Sequence, residues 1–180
     1  IIHFTHDGDP TIRFGCLGAD GVHDATDLIE FDQSKPCGGL NDRFNMDGKA
    51  FQQLQERATS TNTLDPASIQ MRAPVPRPGK VFCIGLNYHD HAKESGMETP
   101  EMPLVFSKFS GCVIGPEDAI SLPKGAREVD YEAELAVVIG RHAEGVPESE
   151  GMKYVLGYCC ANDVSARDFQ FADGQWQRGK

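Results

Sequence analysis

The segment that most constrains the fold of this chain is the run VDYEAELAVVIG at residues 129–140. Its second half is almost wholly apolar, which is typical of a strand that contributes to a core. Glu132 and Glu134 lie two residues apart inside the run, and alternate residues of a strand point to the same face. A fold that contains this strand therefore has to hold two carboxylates side by side at the edge of its core.

Two like charges in that position repel each other, and a divalent cation is the usual remedy. Ligands that offer only oxygen favour a hard ion, so we expect Mg2+, with Mn2+ or Ca2+ as alternatives. The opposing interpretation makes Glu132 and Glu134 exposed residues of an edge strand that pair with lysines. The apolar sequence around them counts against it, because a strand that buries so much rarely leaves two carboxylates on one face without a partner.

A second polar island, ANDVSARDFQ at residues 161–170, follows another apolar run. Asp163 stands at the predicted end of a strand, and a helix beginning just after it would place Arg167 and Gln170 on one face. The alternative is a helix N-cap formed by Asp163 or Ser165, with Arg167 as a solvated charge. For this motif in isolation the N-cap is the better interpretation, and a third carboxylate that completes the metal site would reverse that choice.

The third island is GLNYHDHAKE at residues 85–94. His91 and Glu94 are three residues apart, so a single helical turn would let the carboxylate orient the imidazole. An oriented histidine is a general base whose protonated form is stabilised. The alternative, which a lone motif favours, is that His89 and His91 are surface residues of a polar helix.

Composition excludes several classes of function. The formal net charge is -10 and the isoelectric point is near 5.0, which argues against nucleic-acid or membrane partners. The six cysteines form no CxxC pair, so we expect no zinc site and a reducing compartment. The sequence contains no GxSxG, P-loop or GxGxxG motif and gives no support to serine catalysis, phosphoryl transfer or dinucleotide binding.

Three prolines at residues 73–80 predict an extended linker and a domain boundary near residue 73. We therefore expect a small N-terminal domain over 1–72 and a second domain over 73–180. The first is predicted to hold short strands in 1–32 with a hairpin turn at Asp20-Gly21, a loop over 33–48 and a helix over 49–58. In the second, strands are predicted over 81–85, 104–109, 134–139 and 153–160, so the fold class is mainly β or α+β.

Taken together, the islands resemble the fumarylacetoacetate hydrolase family, and within it the domain-containing proteins of the second type. The resemblance covers about residues 73–180 and follows the family's order. It is carried by residues 80–94, PLVFSKFSGCVIG at 103–115, residues 129–140, and GYCCANDVSARDFQ at 157–170. The resemblance implies a β-rich roll with a small variable N-terminal domain, usually in a homodimer. Because the family continues beyond the position of Lys180, part of the roll is expected to be missing from this chain.

The resemblance also implies a role for particular residues. The family's metal-binding carboxylates match Glu132, Glu134 and Asp163. Its catalytic residues match the pair His91 and Glu94 together with Lys180. Its substrate-binding residues match Arg167, Gln170 and Tyr88.

At two positions this sequence differs from the pattern of some family members, and both differences affect the expected site. Some members carry a fourth acidic metal ligand where this chain has Ile84, so a three-carboxylate site is implied. Some carry an arginine for a substrate carboxylate where this chain has Leu86, which counts against specificity for small diacids.

The implied activity is hydrolysis of C–C bonds in β-dicarbonyl or acylpyruvate-type acids through a metal-stabilised enolate. The same site suits an oxaloacetate keto–enol tautomerase or a decarboxylase, since all three reactions share the enolate. A rival from another class is a non-catalytic protein that retains the fold. The expected location is mitochondrial, with the cytoplasm as the alternative.

Overall fold

The structure is a computed structural model that describes residues 1–28, 49–60 and 63–180. The predicted loop over 33–48 lies outside these residues. In chain order the described strands are β1 (Ile2–His6), β2 (Asp9–Gly18), β3 (Gly21–Asp24), β4 (Ile69–Arg72), β5 (Val81–Gly85), β6 (Leu104–Lys108), β7 (Val129–Asp130), β8 (Ala133–Ile139), β9 (Val155–Asn162) and β10 (Ser165–Ala166). The described α-helices are α1 (Lys49–Arg57), α2 (His89–Glu94) and α3 (Arg167–Gln170). This content confirms the predicted mainly β class.

The chain divides into two compact units, each assembled from separate segments. The first unit consists of Ile1–Pro78, Val113–Ile120 and Ala133–Ala161, and the second of Gly79–Cys112, Ser121–Glu132 and Asn162–Lys180. The predicted boundary near residue 73 stays a prediction, because these units follow spatial contacts and not chain order.

A four-stranded antiparallel sheet with the order β3-β2-β1-β4 forms the first unit's centre. Alternating apolar residues and a glycine turn produce the β2–β3 hairpin. Gly18 pairs with Gly21, so the tight turn lies one residue earlier than the predicted Asp20-Gly21 pair. Gly21 has φ +144°, a conformation that favours glycine because other residues carry a Cβ atom that is strained there.

The predicted helix over 49–58 is confirmed as α1, and its apolar face is the one that the sequence indicates. Leu54 is buried and packs with Phe14, Cys16 and Ala25 of the sheet. Other apolar side chains border this core cluster, among them Phe51 and Ala58 of the helix segment. The spacing of apolar residues in α1 therefore predicts correctly which side of the helix contacts the sheet.

Two other predicted elements are shifted. The prediction placed Glu132 and Glu134 on one strand, but β8 begins at Ala133 and Glu132 precedes it. This part of the prediction is wrong, because the backbone N–H of Glu132 donates to the side-chain oxygen of Asn162 at 3.1 Å and not to a backbone carbonyl oxygen of a neighbouring strand. The strand predicted over 153–160 begins at Val155, after a 3-10 helix over Glu148–Tyr154.

Strands predicted as buried are partly exposed. Phe82 of β5 is 66% exposed, and Leu135 of β8 is 61% exposed. In the described part of the chain, β5 and β8 each have a single partner strand, β6 and β9 respectively. A two-stranded sheet buries little of its surface on its own. The expectation of a metal site therefore cannot rest on the burial of β8.

The second unit contains the β5–β6 hairpin and the short antiparallel pair β7–β10. The helix predicted to begin near Val164 begins at Arg167, because Ser165 and Ala166 first pair with β7. Within the described residues, no helix has the length and apolar character that crossing a membrane requires.

Candidate active site

Glu132 and Asp163 are held together by their own backbones in the second unit. The N–H of Asp163 donates to the carbonyl oxygen of Glu132 at 2.9 Å. This hydrogen bond brings the two side chains to the same place, and their carboxylate oxygens lie within 4.8 Å of each other. Asp163 is buried, and the side chain of Glu132 is 19% exposed. The structure brings these two acids together although they are distant in sequence, and their role as metal ligands stays a prediction.

Two lysine ammonium groups neutralise this pair. The Nζ atom of Lys180 donates to Oε1 of Glu132 at 2.6 Å and to Oδ2 of Asp163 at 2.9 Å. Lys108 binds the other carboxylate oxygen of Asp163 and donates to the carbonyl oxygen of Val164 at 3.3 Å. Both oxygens of the buried Asp163 thus have a cationic partner, which offsets the cost of removing the charge from water.

Ser165 and Arg167 complete the surroundings of Glu132. The Ser165 hydroxyl donates to Oε1 of Glu132 at 2.6 Å, and a guanidinium nitrogen of Arg167 lies 3.2 Å from the same oxygen. Arg167 also donates to Oδ2 of Asp130 at 2.8 Å and to Oε1 of Gln170 at 2.9 Å. The hydrogen bonds from Arg167 hold the pKa of Asp130 below its usual range.

We call this group the carboxylate cluster. It consists of the acids Asp130, Glu132 and Asp163 and the cations Lys108, Arg167 and Lys180. Its three carboxylates and three cations balance in charge, which is how so many ionised groups can be packed in one place.

The position of Lys180 depends on the glycine that precedes it. The carbonyl oxygen of Gly179 accepts from the N–H of Ala166 at 2.7 Å. A Cβ atom at Gly179 would lie 2.5 Å from the carbonyl oxygen of Ala166 and 2.6 Å from the backbone nitrogen of Gln170. Only glycine allows this close approach, so it fixes the segment that directs Lys180 toward Glu132.

The predicted catalytic residues His91 and Glu94 lie on α2, and the predicted substrate-binding residue Tyr88 lies beside it. His91 and Glu94 are three residues apart on this helix, as predicted, and both are exposed. Tyr88 precedes the helix and is 54% exposed. Among the described residues, neither His91 nor Glu94 has a side-chain hydrogen bond to the carboxylate cluster. Their catalytic roles stay predictions.

Glu134 stands on β8 in the first unit. Its role as a third metal ligand therefore stays a prediction.

The N-cap alternative for the second island is wrong. Ala166 occupies the N-cap position of α3, and no side chain caps that helix. Asp163 and Ser165 instead bind partners in the carboxylate cluster. The lysine-paired interpretation of Glu132 is correct in part, because Lys180 is its partner, although the pair is largely buried and not exposed.

Sequence reasoning missed Lys108, Ser165 and Asp130. The sequence signal for Lys108 is that it is the single charged residue in the apolar stretch PLVFSKF. A charge that is buried with such a stretch needs a partner of opposite charge. Ser165 stands two residues after Asp163, the spacing that brings side chains of an extended segment to the same face.

The donor set of the carboxylate cluster fits a hard divalent cation. Carboxylate oxygens are the preferred ligands of Mg2+ and Ca2+, and Glu132 and Asp163 offer them in a partly enclosed place. A cation already lies between these oxygens, because the ammonium group of Lys180 bridges them. Positive charge is thus what this position accommodates.

Comparison with known proteins agrees with the sequence resemblance. The profile of the fumarylacetoacetate (FAA) hydrolase C-terminal domain matches residues 80–180. The mitochondrial oxaloacetate tautomerase of Xenopus laevis is 37% identical over 183 residues, which is 100% of this chain and 57% of the relative. The fumarylacetoacetate hydrolase domain-containing protein 2 homolog of Dictyostelium discoideum is 51% identical over 113 residues, or 62% of this chain and 37% of the relative.

A solved structure resembles the fold as well. The fumarylacetoacetate hydrolase of Exiguobacterium antarcticum matches with a TM-score of 0.73 and 28% identity, covering 99% of this chain and 61% of that chain. This chain spans about half the length of the curated relatives that it matches. The match over residues 80–180 includes every residue of the carboxylate cluster and the predicted pair on α2. The chain belongs to the fumarylacetoacetate hydrolase family.

Proposed function

We propose that this chain carries the catalytic centre of a divalent-metal-dependent oxaloacetate keto–enol tautomerase. The observation that carries the proposal is the close approach of Glu132 and the buried Asp163, each of which offers a carboxylate oxygen within 4.8 Å of the other's. The printed activity of the Xenopus relative supports the choice of reaction. The proposed ligands are these two carboxylates and Glu134, which follows Glu132 by two residues, and the proposed ion is Mg2+, with Mn2+ or Ca2+ as alternatives.

A divalent ion bound there would act as a Lewis acid that withdraws charge from a substrate carbonyl. The remaining chemistry belongs to the side chains. His91, oriented by Glu94, removes a proton from the carbon next to the ketone and returns it to the carbonyl oxygen. One proton leaves carbon and one reaches oxygen, so the keto and enol forms interconvert without water or any other co-reactant.

Substrate binding requires positive charge, because a keto diacid is anionic at neutral pH. We assign the substrate's oxygen atoms to Lys180 and to the polar side chains Arg167, Gln170 and Tyr88. Leu86 cannot replace the arginine that some family members use for a carboxylate. The substrate's second carboxylate therefore depends on the cations of the carboxylate cluster.

The test uses Glu132→Gln and Asp163→Asn, which remove a charge without a large change in side-chain size. We expect both variants to lose Mg2+ binding in isothermal titration and oxaloacetate tautomerase activity in an ultraviolet assay of the enol. Glu150→Gln is the matched control, because Glu150 pairs with Lys153 at the exposed surface of the first unit. Unchanged turnover in either cluster variant would refute the metal assignment.

The C–C hydrolase activity expected from the resemblance stays a prediction, as do decarboxylation and a non-catalytic role. An acylpyruvate cleavage assay, a carbon dioxide assay and the enol assay, each with and without a chelator, separate these outcomes. We also propose a homodimer in mitochondria, the latter because the Xenopus relative is named as mitochondrial. Light scattering and fractionation of cells test these two points.

A further inference from the structure

We propose that Lys180 is an internal counter-cation that competes with the divalent ion for the oxygens of Glu132 and Asp163. This inference rests on the proposed metal site. It concerns what the lysine does when no ion is bound, which is separate from its predicted contact with substrate.

The geometry of Lys180 is that of a bridging cation. Its ammonium nitrogen lies 2.6 Å from a Glu132 oxygen and 2.9 Å from an Asp163 oxygen. The side chain of Lys180 is only 2% exposed, so water contributes little to neutralising the two acids. Oε1 of Glu132 also accepts from Ser165 and lies 3.2 Å from a guanidinium nitrogen of Arg167, so it is already surrounded by donors. A divalent ion that binds these oxygens would repel the nearest cation, and this repulsion favours displacement of the Lys180 ammonium group.

Lys108 differs from Lys180 in this respect. It binds Oδ1 of Asp163 and the carbonyl oxygen of Val164, whereas Lys180 binds Oδ2 of Asp163. Lys108 can stay in place when an ion binds Oδ2 of Asp163. The exchange thus involves one lysine and leaves the other as a fixed support of the carboxylate.

The ammonium group of Lys180 contacts an aromatic ring while it bridges the two carboxylates. Its nitrogen lies 4.9 Å from the centre of the Phe106 ring, within the range of a cation–π interaction. The edge of the Trp176 ring contacts Phe106, with ring centres 5.3 Å apart. The aromatic pair can therefore hold the ammonium group close to the site after the ion has taken its carboxylate partners.

The experiment measures Mg2+ affinity by isothermal titration in the complete protein with Lys180→Gln and Lys180→Arg. We expect Lys180→Gln to bind Mg2+ more tightly than the unmodified protein by about tenfold or more, because the ion no longer has to break two hydrogen bonds from a charged donor, each worth about tenfold in affinity. Lys180→Arg keeps a bridging cation and should not bind more tightly. Lys153→Gln, an exposed lysine of the first unit, controls for the general loss of positive charge.

Metal-induced thermal stabilisation is the second measurement. The loss of two buried ion pairs lowers the stability of Lys180→Gln in the absence of the ion, so Mg2+ should raise its Tm by more than it raises that of the unmodified protein. This comparison remains informative even if the variant is only partly folded without the ion.

Glu132→Gln separates the two ways in which the proposal can fail. If the unmodified protein and Lys180→Gln both bind Mg2+ no better than Glu132→Gln does, the proposed metal site is wrong and the exchange fails with it. If the unmodified protein binds Mg2+ through Glu132 but Lys180→Gln binds it equally or more weakly, the metal site stands and the counter-cation role is wrong. Tighter binding in Lys180→Gln, absent in Lys180→Arg, supports the exchange.

Discussion

Apolar side chains form the core clusters of the first unit's sheet, beside the buried residues His3 and His23, whereas the most buried side chains around Glu132 in the second unit are charged or polar. Phe14 is fully buried in the first unit, and Leu54 is 4% exposed. In the second unit, the side chain of Lys180 is 2% exposed and that of Asp163 is 7% exposed. The first arrangement stabilises the fold through the burial of apolar surface. The second must overcome the desolvation of its charges.

The two kinds of buried side chain are expected to serve different ends, one the stability of the fold and the other its activity. Apolar packing gains free energy wherever a fold can achieve it, but a buried ion-pair cluster is often no more stable than an apolar cluster of the same volume. Its presence in the second unit therefore indicates chemistry, because functional sites are where perturbed and paired charges gather. We expect substitutions in the apolar core of the first unit's sheet to change stability alone, and substitutions in the carboxylate cluster to change function as well.

The largest effect is expected for His91→Ala. The variant should lose tautomerase activity by about 10²–10⁴-fold, the usual range for a positioned acid–base group, and should retain its Mg2+ affinity. Stopped-flow measurement of enol conversion gives the loss of activity, and isothermal titration gives the Mg2+ affinity.

His89→Ala is the control for His91→Ala, since His89 lies on the same helix and contacts Thr99 at 3.3 Å. Equal losses in the two variants would show that α2 as a whole matters and that His91 has no special role.

Phe14→Ala tests the apolar side of the comparison. Phe14 is at the centre of the core cluster of the first unit, and removal of its ring should lower the free energy of unfolding by about 4 kcal/mol through lost burial and an unfilled cavity. Urea denaturation measures this change. The turnover of the folded fraction should stay within twofold, and a loss of turnover larger than the loss of folded protein would contradict the separation.

Lys108→Met tests the charged side. The substitution leaves Asp163 with one lysine partner in place of two, and we expect a loss of about 3 kcal/mol in the free energy of unfolding. In the double variant with Asp163→Asn, the loss should be smaller than the sum of the single losses by about 1 kcal/mol or more. Strict additivity in this cycle would mean that the two side chains do not stabilise each other.

Local elements were predictable from the sequence where one periodicity dominates. The pattern of Phe51, Leu54 and Ala58 indicates α1 and its buried face, and alternation with glycine indicates the β2–β3 hairpin. The predictions failed where the chain changes partners over a few residues. Glu132 lies between two strands that pair with different neighbours, and no local pattern shows where one pairing stops and the next begins.

The candidate site shows the same limit. The acids could be identified from the sequence because a carboxylate next to an apolar run usually has a partner that neutralises it. The family resemblance then indicated which acids belong to the same site. The cationic partners were harder to predict, because little in the sequence distinguishes a lysine that pairs with a buried acid from a lysine at the surface. Lys108 is 55 positions from Asp163 along the chain, so only the folded backbone reveals that they meet.

The smallest expected effect concerns pH and belongs to the first unit. Burial lowers the pKa of His3 from 6.5 to about 4, although its ring Nδ1 also contacts the carbonyl oxygen of Pro74 at 2.9 Å. The folded state therefore binds this proton less readily than the unfolded state does. The stability that neutral His3 contributes is complete above pH 6.5 and is lost as the pH falls toward 4.

His3→Gln isolates this contribution, because a glutamine can still donate to Pro74 but does not titrate. Between pH 7 and pH 5, we expect the unmodified protein to lose about 2 kcal/mol more of its unfolding free energy than His3→Gln loses. Urea denaturation at several pH values measures the difference. Identical pH profiles would mean that His3 binds a proton as readily in the folded state as in the unfolded state, and burial would then not lower its pKa.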